Sequence, residues 1–189
     1  MKFQRTITRF IFLTFLSAVF VISSFAQAKQ MAKPVNKPLP NLVLNTIDGK
    51  KWELYENRGQ IVLLNFWATW CIPCKSEIPA LVRLAEKHRV DGLKVAGISV
   101  DSKNTPQIKE FIESYKIKYP VLLTDPGSLL SRQKAIPMSL LIDENGFLAK
   151  KYIGAIKEDI FEKDIKNLLN KRSAAQKILT HPTKISGSR

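Results

Sequence analysis

Residues 65–79 read NFWATWCIPCKSEIP, and the two cysteines inside them decide how the rest of the chain is read. Cys71 and Cys74 are the only cysteines among 189 residues. Just upstream, Ile61–Trp67 (IVLLNFW) is a nearly continuous apolar run, the pattern of a strand buried on both faces. Downstream, Ile78, Leu81, Val82 and Ala85 fall at i, i+3, i+4 and i+7, which predicts a helix from about Cys74 to His88. The pair therefore stands where a buried strand hands over to a helix. Two residues between cysteines in a first helical turn bring both sulfurs to one side, close enough for a disulfide with little backbone movement. Unpaired backbone N–H groups and the positive end of the helix dipole favour a thiolate at Cys71, which makes it the attacking sulfur. Cys74, one turn inside and better shielded, suits the resolving role. Cys71 attacks a substrate disulfide, a mixed disulfide forms, and Cys74 releases the product by closing the internal bridge. Pro73 fits an early helical position, where its missing N–H has no intrahelical use, and it stiffens the loop.

Two plainer readings compete. A C-x-x-C pair can be half of a zinc site, but a tetrahedral site needs two more ligands. Only His88, near the end of the same helix, and His181, near the C-terminus, are on offer, and neither has ligand spacing to the cysteines. A purely structural disulfide is the other alternative. It would close a tiny loop and constrain little of the unfolded chain.

Working outward, Asn41–Ile47 and Trp52–Leu54 flank Asp48-Gly49, a hairpin signal. Lys94–Val100 (KVAGISV) reads as a second buried strand. Thr105 as N-cap and Pro106 at the first helical position announce a helix with the stripe Ile108, Phe111, Ile112 and Tyr115. Strand signals follow at Val121–Thr124 and Met138–Ile142, and Asn145-Gly146 turns the chain into Phe147–Ile153. A last helix from about Glu158 to Leu169 would bury Phe161, Ile165, Leu168 and Leu169. Strand–helix–strand, helix, hairpin and closing helix predict an α/β fold with a mixed sheet covered on both faces.

The stretch Asn65–Pro79, together with Gly97–Asp101 (GISVD) and Pro137–Asp143 (PMSLLID), resembles the TlpA/ResA-like branch of the thioredoxin superfamily over roughly residues 36–170. That resemblance implies a thioredoxin-like three-layer α/β/α domain, central mixed sheet, with an added N-terminal β-hairpin. It also implies that Pro137 is the cis-proline facing the cysteines, and that Ile136 offers backbone groups to an extended substrate chain. Glu77 matches the acidic residue this branch places near the cysteines, where a carboxylate could relay protons or raise the thiol pKa by like-charge repulsion. As a first-turn acid it could equally be solvated or capping. Trp67 and Trp70 would pack around the site, Trp70 as a substrate contact, though as core or lid aromatics they need no catalytic role. Two departures stand out. The buried aspartate that thioredoxins keep six residues before the first cysteine is Asn65 here, which cannot take a proton. And Asp125–Pro137 is short for the family and lacks its usual tyrosine and glycine, which predicts a stunted helix.

The rest of the chain sets the context. Lys2, Arg5 and Arg9 precede an uncharged, mostly apolar run from Phe10 to Phe25, and Ala26-Gln27-Ala28 closes it with a small-x-small pattern. Residues 1–28 are thus expected to be an export signal, cut after Ala28 or kept as an anchor; the run is short of the ~20 apolar residues of a bilayer span. Residues 29–40, with three prolines and three lysines, read as a linker, 41–170 as the domain and 171–189 as a frayed basic tail. Net charge is +14; residues 1–28 carry three bases and no acid, so their removal leaves +11. A basic surface favours solubility and loose contact with anionic lipid, while no basic run interleaved with aromatics points to nucleic acid.

The expectation is a thiol–disulfide oxidoreductase on the extracytoplasmic side of a membrane, with no cofactor or metal. By resemblance it is a disulfide reductase for protein substrates such as apocytochrome c, kept reduced by a membrane thiol electron donor. Alternatives are a disulfide-donating oxidase, a peroxiredoxin-like peroxidase and a non-enzymatic copper or haem-delivery module. The P-x-x-x-T/S-x-x-C frame of a peroxidase fails from Cys71, where Leu64 and Ala68 hold the proline and hydroxyl positions. It fails again from Cys74, where Trp67 and Cys71 hold them. A delivery module needs a third soft ligand that the sequence does not nominate.

Overall fold

A computed structural model describes residues 38–101 and 104–180. The expected export signal, most of the expected linker and residues 181–189 lie outside the described residues. Seven strands form one mixed sheet: β1 (Val43–Thr46), β2 (Lys51–Glu53), β3 (Ile61–Trp67), β4 (Leu93–Ser99), β5 (Val121–Leu123), β6 (Met138–Ile142) and β7 (Leu148–Ile153). Their order is β2-β1-β5-β4-β3-β6-β7. β3 is an inner strand, parallel to β4 and antiparallel to β6, and every one of its seven residues is buried. That is why its sequence runs apolar without alternation. Three α-helices follow their strands: α1 (Ile72–Lys87), α2 (Thr105–Ser114) and α3 (Glu158–Thr180).

The odd-numbered side chains of β3 (Ile61, Leu63, Trp67) share one core with Ile78, Leu81 and Leu84 of α1, Ile108 and Phe111 of α2, and Phe161, Ile165 and Leu169 of α3. All three α-helices therefore pack on one face. The even-numbered side chains Val62, Leu64 and Phe66 form a second core whose covering residues include Leu39, Leu42, Leu54, Trp52, Leu130 and Ile136, none from an α-helix. The thioredoxin-like α/β architecture is present, but its third layer is irregular chain rather than helix. The cause is local: Asp125–Pro137, expected to carry a stunted helix, is only bends and turns. The end of the expected linker is structural too, since Leu39 packs in that second core and its N–H donates to Gly146 O at 2.9 Å.

Most boundaries lie within one or two residues of the sequence expectation, α1 for example beginning at Ile72, and two of the differences bear on caps and contacts. α2 is capped by Asn104, so Thr105 is its first helical residue and Pro106 its second, still within the turn that tolerates a missing N–H. α3 does not fray after Leu169 but runs on to Thr180. Arg172 reaches back from this extension to the carbonyls of Gly59 (3.2 Å), Gly92 (3.4 Å) and Asp91, which the apolar periodicity could not announce. α1 and α3 are further joined by Arg83–Glu158 and Lys87–Glu162 ion pairs.

Candidate active site

α1 begins where β3 ends, and Cys71 is its N-cap. The Cys71–Cys74 disulfide is formed, with S–S 2.00 Å and Cα–Cα 5.3 Å. The backbone N–H of Cys74 donates to Cys71 Sγ at 3.2 Å, so the sulfur occupies the place a capping oxygen takes at most helix starts. This is the field that favours charge on Cys71 once the bridge opens. Cys74 is the more enclosed of the two, 1% exposed against 4%. Pro73 lies in the first turn, as the spacing predicts.

The turn before Cys71 is fixed from β4. Asp101 Oδ2 accepts from Thr69 N–H at 2.9 Å and Thr69 Oγ1 at 2.6 Å, while Oδ1 accepts from Ser99 Oγ at 2.5 Å. Asp101 is a site residue that sequence reasoning placed in a motif without assigning it work. Around the disulfide the surface is apolar: Trp70 is 66% and Ile72 78% exposed. Trp67, by contrast, is fully buried and stacks on Phe111 at 4.7 Å. Trp70 also lines a cleft of about 440 Å³ with Thr69, Asp101, Gln107, Pro126 and Arg132. The Ile136–Pro137 peptide is cis, and Pro137 O accepts from Gly154 N–H at 2.8 Å.

Glu77 is neither solvated nor a helix cap. It is 2% exposed and lies three residues beyond Cys74, on the same side of α1. Its Oε1 accepts from Ile156 N–H at 2.9 Å and its Oε2 from Asn65 Nδ2 at 2.9 Å. Asn65 Nδ2 also reaches Ser139 Oγ at 3.0 Å, which ties β3, β6, α1 and the β7–α3 connection around one carboxyl. Burial raises the Glu77 pKa, only partly opposed by the Ile156 and Asn65 hydrogen bonds.

A raised carboxyl pKa means that folding favours the protonated form. Glu77's contribution to stability is fully present below its unfolded value of 4.5 and is lost as pH rises through the folded value. Glu77→Gln removes that loss, and the Asn65 amide can rotate to present Oδ1 to the new NH₂. The variant is therefore expected to melt at or above the wild-type temperature at pH 7, with the advantage vanishing at pH 4. Thermal melts at the two pH values test this; a variant less stable at pH 7 than at pH 4, relative to wild type, contradicts it.

His88, the one described histidine, caps the far end of α1, about 26 Å along the helix axis from Cys71 at 1.5 Å per residue. Its ring nitrogens face Asp91 Oδ2 and Glu162 Oε2, each at 2.9 Å, and not the cysteines. His181 lies outside the described residues. Among the described residues no group of three or more His, Cys, Asp or Glu side chains is arranged to hold a metal ion.

The model of the AhpC/TSA family matches residues 35–175, which takes in the whole sheet, the disulfide and most of α3. The chain belongs to the AhpC/TSA family. Within that family it is similar to thiol–disulfide oxidoreductases. One is the thiol-disulfide oxidoreductase ResA of Bacillus cereus (strain ATCC 10987 / NRS 248), 31% identical over 172 residues covering 89% of this chain and 99% of that protein. Another is the sporulation thiol-disulfide oxidoreductase A of Bacillus subtilis (strain 168), 31% identical, covering 80% and 90%. Among solved structures, a thiol:disulfide interchange protein of the thioredoxin family from Chlorobium tepidum TLS superposes with a TM-score of 0.64. It is 31% identical, covering 73% of this chain and 98% of that one. This AhpC/TSA member is thus a thioredoxin-fold thiol–disulfide oxidoreductase of the ResA-like kind.

Proposed function

We propose that the protein is a disulfide reductase acting outside the cytoplasm on protein substrates such as apocytochrome c, with a membrane thiol carrier as its electron donor. The observation that carries this reading is Glu77, a buried carboxyl one helical turn beyond a buried Cys74. Reduction of a substrate needs Cys74 to lose its proton while enclosed, and a carboxyl whose pKa burial raises is a stronger base for that proton than an exposed one. Cys71 thiolate attacks the substrate disulfide, one substrate sulfur leaves as thiolate and is protonated, and a mixed disulfide remains. Glu77 takes the Cys74 proton; the Cys74 thiolate then attacks Cys71 Sγ, closing the internal bridge and expelling the second substrate sulfur. Two electrons pass from the dithiol to the substrate. Exposed Trp70 and Ile72 offer apolar contact to an approaching chain, and Ile136, beside Pro137, offers backbone groups for extended pairing. The Ile-Pro pair between the cysteines supports the reducing direction, and the apolar run at residues 10–25 supports export.

Equilibration of the full chain in dithiothreitol or glutathione buffers tests the direction. The expected reduction potential is near or below about −270 mV, the thioredoxin value. A value nearer −120 mV would make the protein a disulfide donor and overturn the reductase reading.

A further inference from the structure

A cluster of polar groups lies inside the otherwise apolar core. Three buried polar atoms there, Asn65 Oδ1, Trp67 Nε1 and Tyr119 Oη, have no hydrogen-bond partner among the described residues. Buried polar groups in native proteins are satisfied by protein or by ordered water, so three in one place call for an explanation. They share a location. Asn65 and Gly97 are register partners on parallel β3 and β4 and so point to the same face of the sheet. A methyl group added at Gly97 would stand 2.7 Å from Trp67 Nε1 and 3.2 Å from the Tyr119 ring, so the missing side chain is what lets both rings pack against this one strand residue. Glu77 joins them through its bond to Asn65, and its charge is felt at the Tyr119 hydroxyl, whose pKa is raised first by burial and then by Glu77.

Tyr119 keeps its hydroxyl buried, but its side chain borders the surface. It lines a surface groove of about 490 Å³ together with Ala85 and Glu86 of α1, Arg89 just beyond that helix, and Lys118. We propose that Tyr119 is a positioning residue that connects Glu77 to solvent: its hydroxyl, the Trp67 indole N–H and the Asn65 carbonyl hold a short file of buried water between the carboxyl and this groove. The chemistry of the set suits the task. The indole donates only, the amide oxygen accepts only, and the phenol does both, so water between them can be fully satisfied. The proton that Glu77 takes from Cys74 leaves along this file, and Glu77 is a carboxylate again for the next turnover. The route opens between α1 and the chain before β5, away from the Trp70 surface, so it stays open while a substrate covers the cysteines.

The inference rests on Glu77 being the proton acceptor. The titratable groups facing Glu77 are Cys74 from α1 itself and Tyr119 from the chain before β5. β3 and β6 present neutral Asn65 and Ser139, and the β7–α3 connection presents only the backbone N–H of Ile156.

The test is a rate–pH profile from pH 5 to 9 for the reduced full chain reacting with oxidised glutathione, quenched by alkylation so that closure by Cys74 is read separately from attack by Cys71. Wild type, Tyr119→Phe, Glu77→Gln and the double variant are compared. Tyr119→Phe keeps the ring and its packing. It is expected to slow closure roughly 5-fold and shift the limb of the profile that Glu77 sets, a fraction of the roughly 10²-fold that positioned proton transfer supplies. In the Glu77→Gln background it should do nothing further. An equal slowing in both backgrounds overturns the relay. So does an unchanged profile with a raised Tm, the signature of an orphan hydroxyl in a dry core. If Glu77→Gln itself leaves the profile unchanged, both the role of Glu77 and the relay fail; if only Tyr119→Phe is silent, the relay alone fails.

Discussion

Cys74→Ser accumulates a covalent complex with its substrate, while Cys71→Ser loses exchange by roughly 10³-fold or more, the scale on which removal of a covalent nucleophile acts. The asymmetry follows from the first turn of α1. The group that steadies charge on Cys71 Sγ is the backbone N–H of residue 74, and a serine there keeps it. Cys71 therefore remains a competent attacker in Cys74→Ser, but the mixed disulfide has no second sulfur to resolve it. In Cys71→Ser the remaining thiol is 1% exposed, one turn inside the helix and out of reach of a protein disulfide. Non-reducing electrophoresis after incubation with a disulfide-bonded protein reads both outcomes. Trapping by Cys71→Ser, or none by Cys74→Ser, would reverse the assignment of the two sulfurs.

Phe161→Ala is expected to cost about 3–5 kcal/mol, the range for deleting a buried aromatic ring from a core that cannot collapse around the gap. Phe161 is 0% exposed and meets the Tyr152 ring edge-on at 4.8 Å, where α3 begins to cross the sheet. For a domain of this size the loss corresponds to a fall in Tm of roughly 10–20 °C, read by calorimetry. The site should feel it as well. Ile156, whose N–H holds Glu77 Oε1, is two residues before α3, so a helix that docks loosely also loosens the carboxyl. A Tm change under 2 °C would mean that the core around Phe161 closes over the cavity, against the close packing seen there.

Much of this was written in local sequence. β3 was legible because a strand buried on both faces leaves an unbroken apolar run, and α1 because Ile78, Leu81 and Ala85 recur on one side. The cysteine geometry was legible because it depends only on a strand meeting a helix. Glu77 stood undecided between an acid that serves the cysteines and a solvated or capping first-turn acid because its burial is made by partners far along the chain: Asn65, 12 positions before it, and Ile156, 79 after it. Asn65 was recognised as a departure from thioredoxins, but not as the residue that holds the carboxyl replacing the lost aspartate. α3 was read as ending at Leu169 because its apolar stripe ends there. What prolongs it is Arg172, whose partners are backbone carbonyls that leave no trace in side-chain pattern. The irregular third layer was half legible: the short Asp125–Pro137 segment showed that a helix was cut down, not that none would remain.

The pairing of β3 bears on how the chain is made. Its two neighbours arrive at very different times during synthesis. β4 follows within one short helix, but the residues of β6 come far later, as Asn65 and Ser139, cross-strand partners, are 74 positions apart. At ribosomal speeds of about 5–20 residues per second, that interval lasts roughly 4–15 s. Throughout it this apolar strand has an edge unpaired, a template for aggregation and a handle for a chaperone. The redox site is finished late, because Ile156 must emerge before Glu77 has its full set of partners. A nascent chain thus carries both thiols long before it carries the carboxyl that governs them.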